Sequence, residues 1–311
     1  MANIRDIAKL TGYSVSTISR VINNNPYVDE QKRQEILRVM EQVNYIPNHT
    51  ARVLSSGKTK NIGVILPFVN HPYFDILLSG ITASAFSRGY KVTLLPTRYE
   101  PEMEEKYLQE FAAKGFDALI ITSRANPLEK LLPYRAYGRI VFCEKIDSVQ
   151  DGCTYIDREQ SIREVFAYLK ENGIERIGIT LGRSRKLSSN SKITVCLCQE
   201  YFPAFTEELI FWDCLTEEDG REAAAFFADK NVQAIFTNGD QVAAGIKLAS
   251  SSERLLIGRD NLFISEVLQL STIDYHLHEC GEMALKLAIQ EEQGSIRIPY
   301  TFIKRRGLEH T

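Results

Sequence analysis

Apolar residues follow two different rhythms along this chain. In the first sixty positions they recur three and four residues apart: Ile4, Ile7, Ala8 and Leu10, then Ile18, Val21 and Ile22, then Ile36, Leu37, Val39, Met40 and Val43. That spacing gathers them on one side of a helix, so three short helices are predicted. Their ends are also marked. Asn3 is a good N-cap with Asp6 three residues on, and Thr11-Gly12 closes the first helix. Tyr13-Ser14 makes a tight connection, with Ser14 capping a second helix over about 15–23. Asn23-Asn24-Asn25-Pro26 reads as a loop because proline disfavours helix in the residue before it, and Asp29 caps the third helix.

From Asn61 the rhythm changes to short β-rich runs separated by amphipathic segments. Ile62–Leu66, Val92–Leu95, Ala118–Ile121 and Ile140–Phe142 form one set. Ile177–Leu181, Leu209–Phe211, Ala234–Phe236 and Leu255–Ile257 form a second, and a last strand is predicted at Tyr300–Lys304. Strand–helix alternation of this kind argues for parallel sheets covered by helices on both faces. Two successive sets imply two α/β lobes with a cleft between them, and ligands of open α/β sheets bind beyond the strand C-termini.

Three short helices with a Gly-containing turn between the first two describe a helix-turn-helix module. The outward face of the second helix carries Ser16, Thr17, Ser19 and Arg20, small donors plus one cation that suit phosphates and base edges. By pattern alone, a small three-helix bundle with a solvated polar face is an equal alternative. Charge adds a pointer. The chain carries a net −3, but residues 1–60 hold nine Lys/Arg against five Asp/Glu, leaving 28 basic and 35 acidic residues beyond. A basic head (+4) on an acidic body (−7) fits a polyanionic partner at one end.

Other features exclude classes of function. The N-terminus lacks an apolar signal region, and no run approaches the ~18 apolar residues of a membrane span. The six cysteines show no disulfide-like spacing, so a reduced, cytoplasmic setting without membrane partners is expected. Ser56-Gly57-Lys58-Thr59 ends like a phosphate-binding loop, but Arg52 stands where that pattern needs its first glycine. Cys196-Leu-Cys198 and His276-Leu-His278, read as strand pairs, each lack a second pair at metal-site spacing. Neither a Gly-x-Ser-x-Gly elbow nor a Gly-x-Gly-x-x-Gly fingerprint is present, so no enzyme, metal or cofactor is expected.

Ile4-Arg-Asp-Ile-Ala-Lys9, Ser14-Val-Ser-Thr-Ile-Ser-Arg-Val-Ile-Asn-Asn24 and Tyr45-Ile-Pro-Asn48 resemble the headpiece of the LacI/GalR family of sugar-responsive regulators. The match spans residues 3–60, and the remainder resembles the same family's core. The resemblance implies an all-α helix-turn-helix headpiece (1–46), a hinge helix and linker (47–60), and an effector-binding α/β core (61–311). That core would be two periplasmic-binding-protein-like lobes with parallel sheets, about 61–157 with 275–298 and about 158–274 with 299–311, crossed three times by the chain. It also implies a palindromic double-stranded operator, a homodimer and a sugar effector. By the same resemblance Val15, Ser16 and Arg20 reach bases, while Thr17, Ser19, Asn23 and Tyr27 contact the backbone. In the hinge, Asn48, His49, Ala51 and Leu54 would meet DNA, Leu54 as a minor-groove wedge.

Residues at strand ends are the effector candidates: Phe68, His71, Tyr73 and Phe74 after the first strand, Ser123 and Arg124 after the third, Glu144 after the fourth. Asp260 in Gly258-Arg-Asp-Asn261 matches an acidic position of the family, and Tyr275 lies at a lobe crossing. Aromatic rings suit sugar faces and carboxylates accept hydroxyl protons, so a neutral or singly charged polyhydroxylated molecule is expected. Three departures bear on the ligand. Lys192 stands where the family has Arg and lacks its planar fork, Val195 replaces a glycine, and Asn238-Gly239-Asp240 splits an Asn-Asp pair. The stretch between Gly245 and Gly258 is also shorter than in the family. The function expected is an effector-controlled repressor of carbohydrate-utilisation genes; the alternatives are a sugar-binding transport protein or a sugar-modifying α/β enzyme.

Overall fold

A computed structural model of the chain describes residues 2–46, 57–148, 152–183, 188–250 and 254–305. It divides into two compact units, Met1–Thr59 and Lys60–Thr311.

The smaller unit holds helices α1 (Ile4–Thr11), α2 (Val15–Ile22) and α3 (Glu30–Gln42). Asn3 and Asp6 form a reciprocal capping box, and Gly12 ends α1 at φ 76°, a left-handed conformation that favours glycine. Ser14 and Asp29 cap α2 and α3 through their side-chain oxygens. Ile7, Ile18, Val21, Ile36 and Val39 make the buried centre of the bundle. Leu10 and Leu37 do not join it, being 61% and 42% exposed. At 3.6 residues per turn each lies roughly 100° from the middle of its helix's buried stripe, and a core shared by three short helices is too narrow to reach them.

The larger unit contains two six-stranded sheets. The first uses β1 (Asn61–Leu66), β2 (Lys91–Pro96), β3 (Ala118–Ile121), β4 (Arg139–Phe142), β5 (Cys153–Ile156) and β11 (Ser295–Ile298), in the order β11-β5-β4-β3-β1-β2. The second uses β6 (Ile177–Thr180), β7 (Ile210–Phe211), β8 (Ala234–Phe236), β9 (Leu255–Arg259), β10 (Ser271–Asp274) and β12 (Thr301–Ile303), in the order β12-β10-β9-β8-β6-β7. The chain passes between sheets after β5, after β10 and after β11. Ile62, Val64, Ile65 and Leu66 are wholly buried, as expected of a central strand covered on both faces. The helices Pro72–Ser87 and Leu277–Ala288 cross closely at Gly80 and Gly281. A Cβ on Gly80 would lie 1.9 Å from the His278 carbonyl oxygen, so only glycine allows that approach.

Three strands escape a reading by apolar runs. β5 (Cys-Thr-Tyr-Ile), β10 (Ser-Thr-Ile-Asp) and β11 (Ser-Ile-Arg-Ile) are four residues long, half polar in β5 and β11 and three-quarters polar in β10. One strand also departs from the expected parallel order: β12 runs antiparallel to β10. Only Pro299-Tyr300 separate β11 from β12, so the chain leaves one sheet at its C-terminal edge and enters the other against the direction of its neighbours. The Cys and His pairs expected on strands lie elsewhere. Cys196 and Cys198 fall within the helix Ser189–Tyr201, one exposed and one buried, because residues two apart point to opposite sides of a helix. His276 caps the helix that contains His278. No grouping of metal ligands occurs among the described residues, and no helix there is long and apolar enough to cross a membrane.

Candidate functional site

Two sites of opposite character emerge, one in each unit. On α2 the buried Ile18 and Val21 hold one side against the bundle. Ser16, Arg20 and Asn23 therefore face solvent on the opposite side, with Val15 at the first turn 42% exposed. Ser14 Oγ lies 2.8 Å from Ser16 Oγ and 2.9 Å from Thr17 Oγ1, which orders the hydroxyls at the helix start. Thr17 and Ser19 flank the exposed face, partly covered, and Asn23 Nδ2 donates weakly to Ser19 Oγ at 3.5 Å. Tyr27 is 94% exposed in the following loop, where burial cannot explain an aromatic ring. Arg20 meets no carboxylate among the described residues, so its guanidinium is available to a partner. Asn48, His49, Ala51 and Leu54 lie outside the described residues.

In the larger unit a cavity of about 720 Å³ opens where the C-terminal ends of both sheets face each other. His71, Tyr73, Phe74, Ser123, Arg124, Glu144 and Asp260 all line it. His71 begins the helix Pro72–Ser87, where its Nδ1 accepts from the Tyr73 amide at 3.3 Å, and burial lowers its pKa. Tyr73 and Phe74 meet edge to face at 4.9 Å, giving the cavity an aromatic wall. Arg124 Nε donates to Glu144 Oε1 at 2.7 Å, so these two expected ligands are already engaged with each other. Asp260 has φ 93°, a left-handed conformation rarely taken by a side-chain-bearing residue. Burial raises its carboxyl pKa to about 6, against the pull of Arg158 and Arg259.

Three expected ligands are not on the cavity wall. Phe68 stands behind Tyr99 in an edge contact at 5.7 Å, and Tyr99 takes the lining position with its hydroxyl 3.2 Å from Ser123 Oγ. Tyr275 is wholly buried, its ring 4.5 Å from the Arg158 guanidinium and its hydroxyl without a hydrogen-bond partner. Lys192 is exposed on its helix, whereas Asn190 and Ser191 turn inward; the cation expected from that helix comes from other segments.

Those segments supply arginines. Arg158 donates to Tyr73 Oη at 2.9 Å; burial opposes its charge, but Tyr73, Tyr275 and Asp260 outweigh it and hold the guanidinium more firmly protonated than usual. Arg183, beyond β6, lies 3.6 Å over the Tyr99 ring. Arg259 closes β9, 1% exposed, with Phe236 beneath its guanidinium at 4.3 Å. A sequence signal for two of them existed. Arg158 occupies the first turn of a helix, where the macrodipole disfavours a cation, and Arg259 ends a strand otherwise made of Leu255-Leu-Ile-Gly258. Asp240, by contrast, is structural: Thr272 Oγ1 at 2.6 Å and the Leu262 amide at 2.7 Å both donate to it. Burial and the nearby Asp260 raise its pKa to about 7.

Both units match family models. Residues 3–48 match that of the bacterial regulatory proteins of the lacI family, and residues 59–306 that of the periplasmic binding proteins and sugar binding domain of the LacI family. Catabolite control protein B of Bacillus subtilis (strain 168) is 39% identical over 310 residues, covering 98% of this chain and all of that protein. The NTD biosynthesis operon regulator NtdR of the same organism is 31% identical, covering 98% and 97% of the two chains. Among solved structures, the lac repressor dimer bound to operator and the anti-inducer ONPF superposes with a TM-score of 0.81 at 20% identity, covering 98% of each chain. At that identity the likeness speaks for the fold.

Proposed function

This chain belongs to the LacI family of bacterial regulatory proteins, and from that premise we propose that it is an operator-binding repressor of carbohydrate-utilisation genes, controlled by a sugar-like effector in the cavity. The observation that carries the reading is the pairing of a solvent-facing α2, its Arg20 unengaged, with a polar cavity at the ends of two facing sheets. Val15, Ser16 and Arg20 address base edges; Thr17, Ser19, Asn23 and Tyr27 address the phosphate backbone. Leu54, with Asn48, His49 and Ala51 beside it, is assigned to the minor groove from sequence.

A single headpiece makes few contacts, so the working form is a homodimer on a palindrome, each copy reading one half-site. Acting on DNA, the protein works in the cytoplasm. The effector controls DNA affinity by preferring one arrangement of the lobes, and operator must then change effector affinity by the same factor. Support comes from the relatives: one is named a catabolite control protein and another an operon regulator, and one fold relative is a complex of the transcriptional regulator CelR with cellobiose.

Selection of bound sequences from randomised duplex DNA by the full chain tests this directly. Enrichment of a palindrome is expected, and Arg20→Ala should bind it more weakly by about 1–3 kcal/mol, roughly ten- to a hundredfold. Failure to enrich any sequence, or equal binding of enriched and random DNA, would remove the operator reading.

A further inference from the structure

Arg259 is a buried cation without a partner. Its Nε, Nη1 and Nη2 are shielded from solvent and none makes a hydrogen bond, although the residue belongs to the cavity wall. A buried guanidinium with five idle donors is costly, and the fold does little to lower that cost. The Phe236 ring under it offers only a cation–π contact. Arg158 stands near enough to lower the Arg259 pKa further, so two like charges share this end of the cavity. Asp260 forms no ion pair with either, although its charge favours both guanidiniums, and burial raises its carboxyl pKa to about 6. Elsewhere on the wall, charges cancel locally: Arg124 with Glu144 at 2.7 Å, Lys145 with Asp147 at 3.4 Å, Arg297 with Asp157 at 3.2 Å. The cations of the wall that make no ion pair are Arg158, Arg183 and Arg259, three positive charges against the one carboxyl of Asp260.

We propose that the effector carries an anionic group, a phosphate ester or a carboxylate, taken at the second-sheet side of the cavity by Arg158 and by Arg259, whose shielded guanidinium turns toward the ligand to donate. This rests on the reading of the cavity as a sugar site and narrows the neutral or singly charged molecule expected from the sequence to an anionic one. Neither acid stands unopposed against such a ligand: Glu144 is paired with Arg124, and the charge of Asp260 is offset by Arg158 and Arg259. The guanidinium fork matches phosphate and carboxylate geometry, with two parallel hydrogen bonds to one anion. Arg183, held against Tyr99, adds a third cation to the cavity wall. The remaining space and the aromatic wall of Tyr73 and Phe74 accommodate the sugar body.

The test uses the full chain and calorimetric titration at constant ionic strength. Inorganic phosphate is the first probe, followed by glucose, gluconate and glucose 6-phosphate. Saturable phosphate binding is expected in the wild type, weakened at least tenfold in Arg259→Met, partly retained in Arg259→Lys, and unchanged in Arg88→Gln, which lies off the cavity wall. Preference for glucose 6-phosphate over gluconate identifies a phosphate ester, and the reverse identifies a sugar acid. The proposal is overturned if phosphate does not bind saturably, if Arg259→Met binds it as well as the wild type, or if glucose binds as tightly as both anionic sugars. Each ligand is also added to the complex with the selected DNA. Anion binding that leaves DNA affinity unchanged would keep this site and remove the regulatory reading; a neutral sugar that shifts DNA affinity equally in Arg259→Met would do the opposite.

Discussion

The headpiece and the cavity solve recognition in contrary ways. On α2 the recognising groups are in water, their solvation undisturbed, and the helix needs only Ile18 and Val21 behind them to present them. At the cavity Arg259 and Asp260 are taken out of water beforehand, and Arg259 and Tyr275 are left with unsatisfied polar atoms in the protein interior. A surface that meets a large polyanion gains from many exposed contacts and does not require strong individual ones. A site for one small molecule must instead orient it, and desolvated, prepositioned donors do that at a cost in stability.

The contrast can be broken most sharply at Ile18, which is fully buried among only five central residues. Ile18→Ala should cost the headpiece about 2–5 kcal/mol, enough to abolish operator binding. The calorimetric transition of the larger unit, and phosphate binding in the cavity, should stay as they are. Loss of both activities together would mean that the two units do not carry separate tasks.

A second effect, intermediate in size, belongs to the larger unit alone. Asp260 and Asp240 have folded-state pKa values raised to about 6 and about 7 by burial. Between a carboxylate's unfolded value of roughly 4 and these values the folded state binds more protons than the unfolded state. Their contribution to stability is therefore present below about pH 4 and declines as pH rises toward 7. Denaturant midpoints of the larger unit measured across that window should fall by this route. Asp260→Asn should flatten the slope up to about pH 6, while leaving the headpiece transition unmoved. A slope left unchanged by the substitution would show that Asp260 does not hold a proton in the folded protein; the part carried by Asp240 should remain.

The smallest effect sharpens the headpiece itself. Leu10→Ala should change stability by no more than about 0.5 kcal/mol, since the residue is 61% exposed. A loss of the size expected at Ile18 would return Leu10 to the core that its apolar character alone suggests.

Much of the molecule was readable from the chain. Asn3, Ser14 and Asp29 announce three helix starts, and Ile7, Ile18 and Ile36 announce what those helices bury, because caps and a 3.6-residue period act between neighbours in sequence. The outward Ser16 and Arg20 follow from the same period. In the core, strands as apolar as β1 and β3 were legible, whereas β5, β10 and β11 were not: four mixed residues carry no pattern until their neighbours in the sheet exist. Membership of the cavity was decided later still. Phe68 and Tyr99 are both aromatic loop residues near strand ends, yet only Tyr99 reaches the wall. Lys192 was assigned there by its position in a motif, but its helix turns Asn190 and Ser191 inward and leaves it outside. Arg158, Arg183 and Arg259 come from the starts and ends of three separate elements, and no spacing along the chain records that they converge. Local sequence sets which way a side chain leaves its helix or strand; strand order and the facing of two sheets set whom it meets.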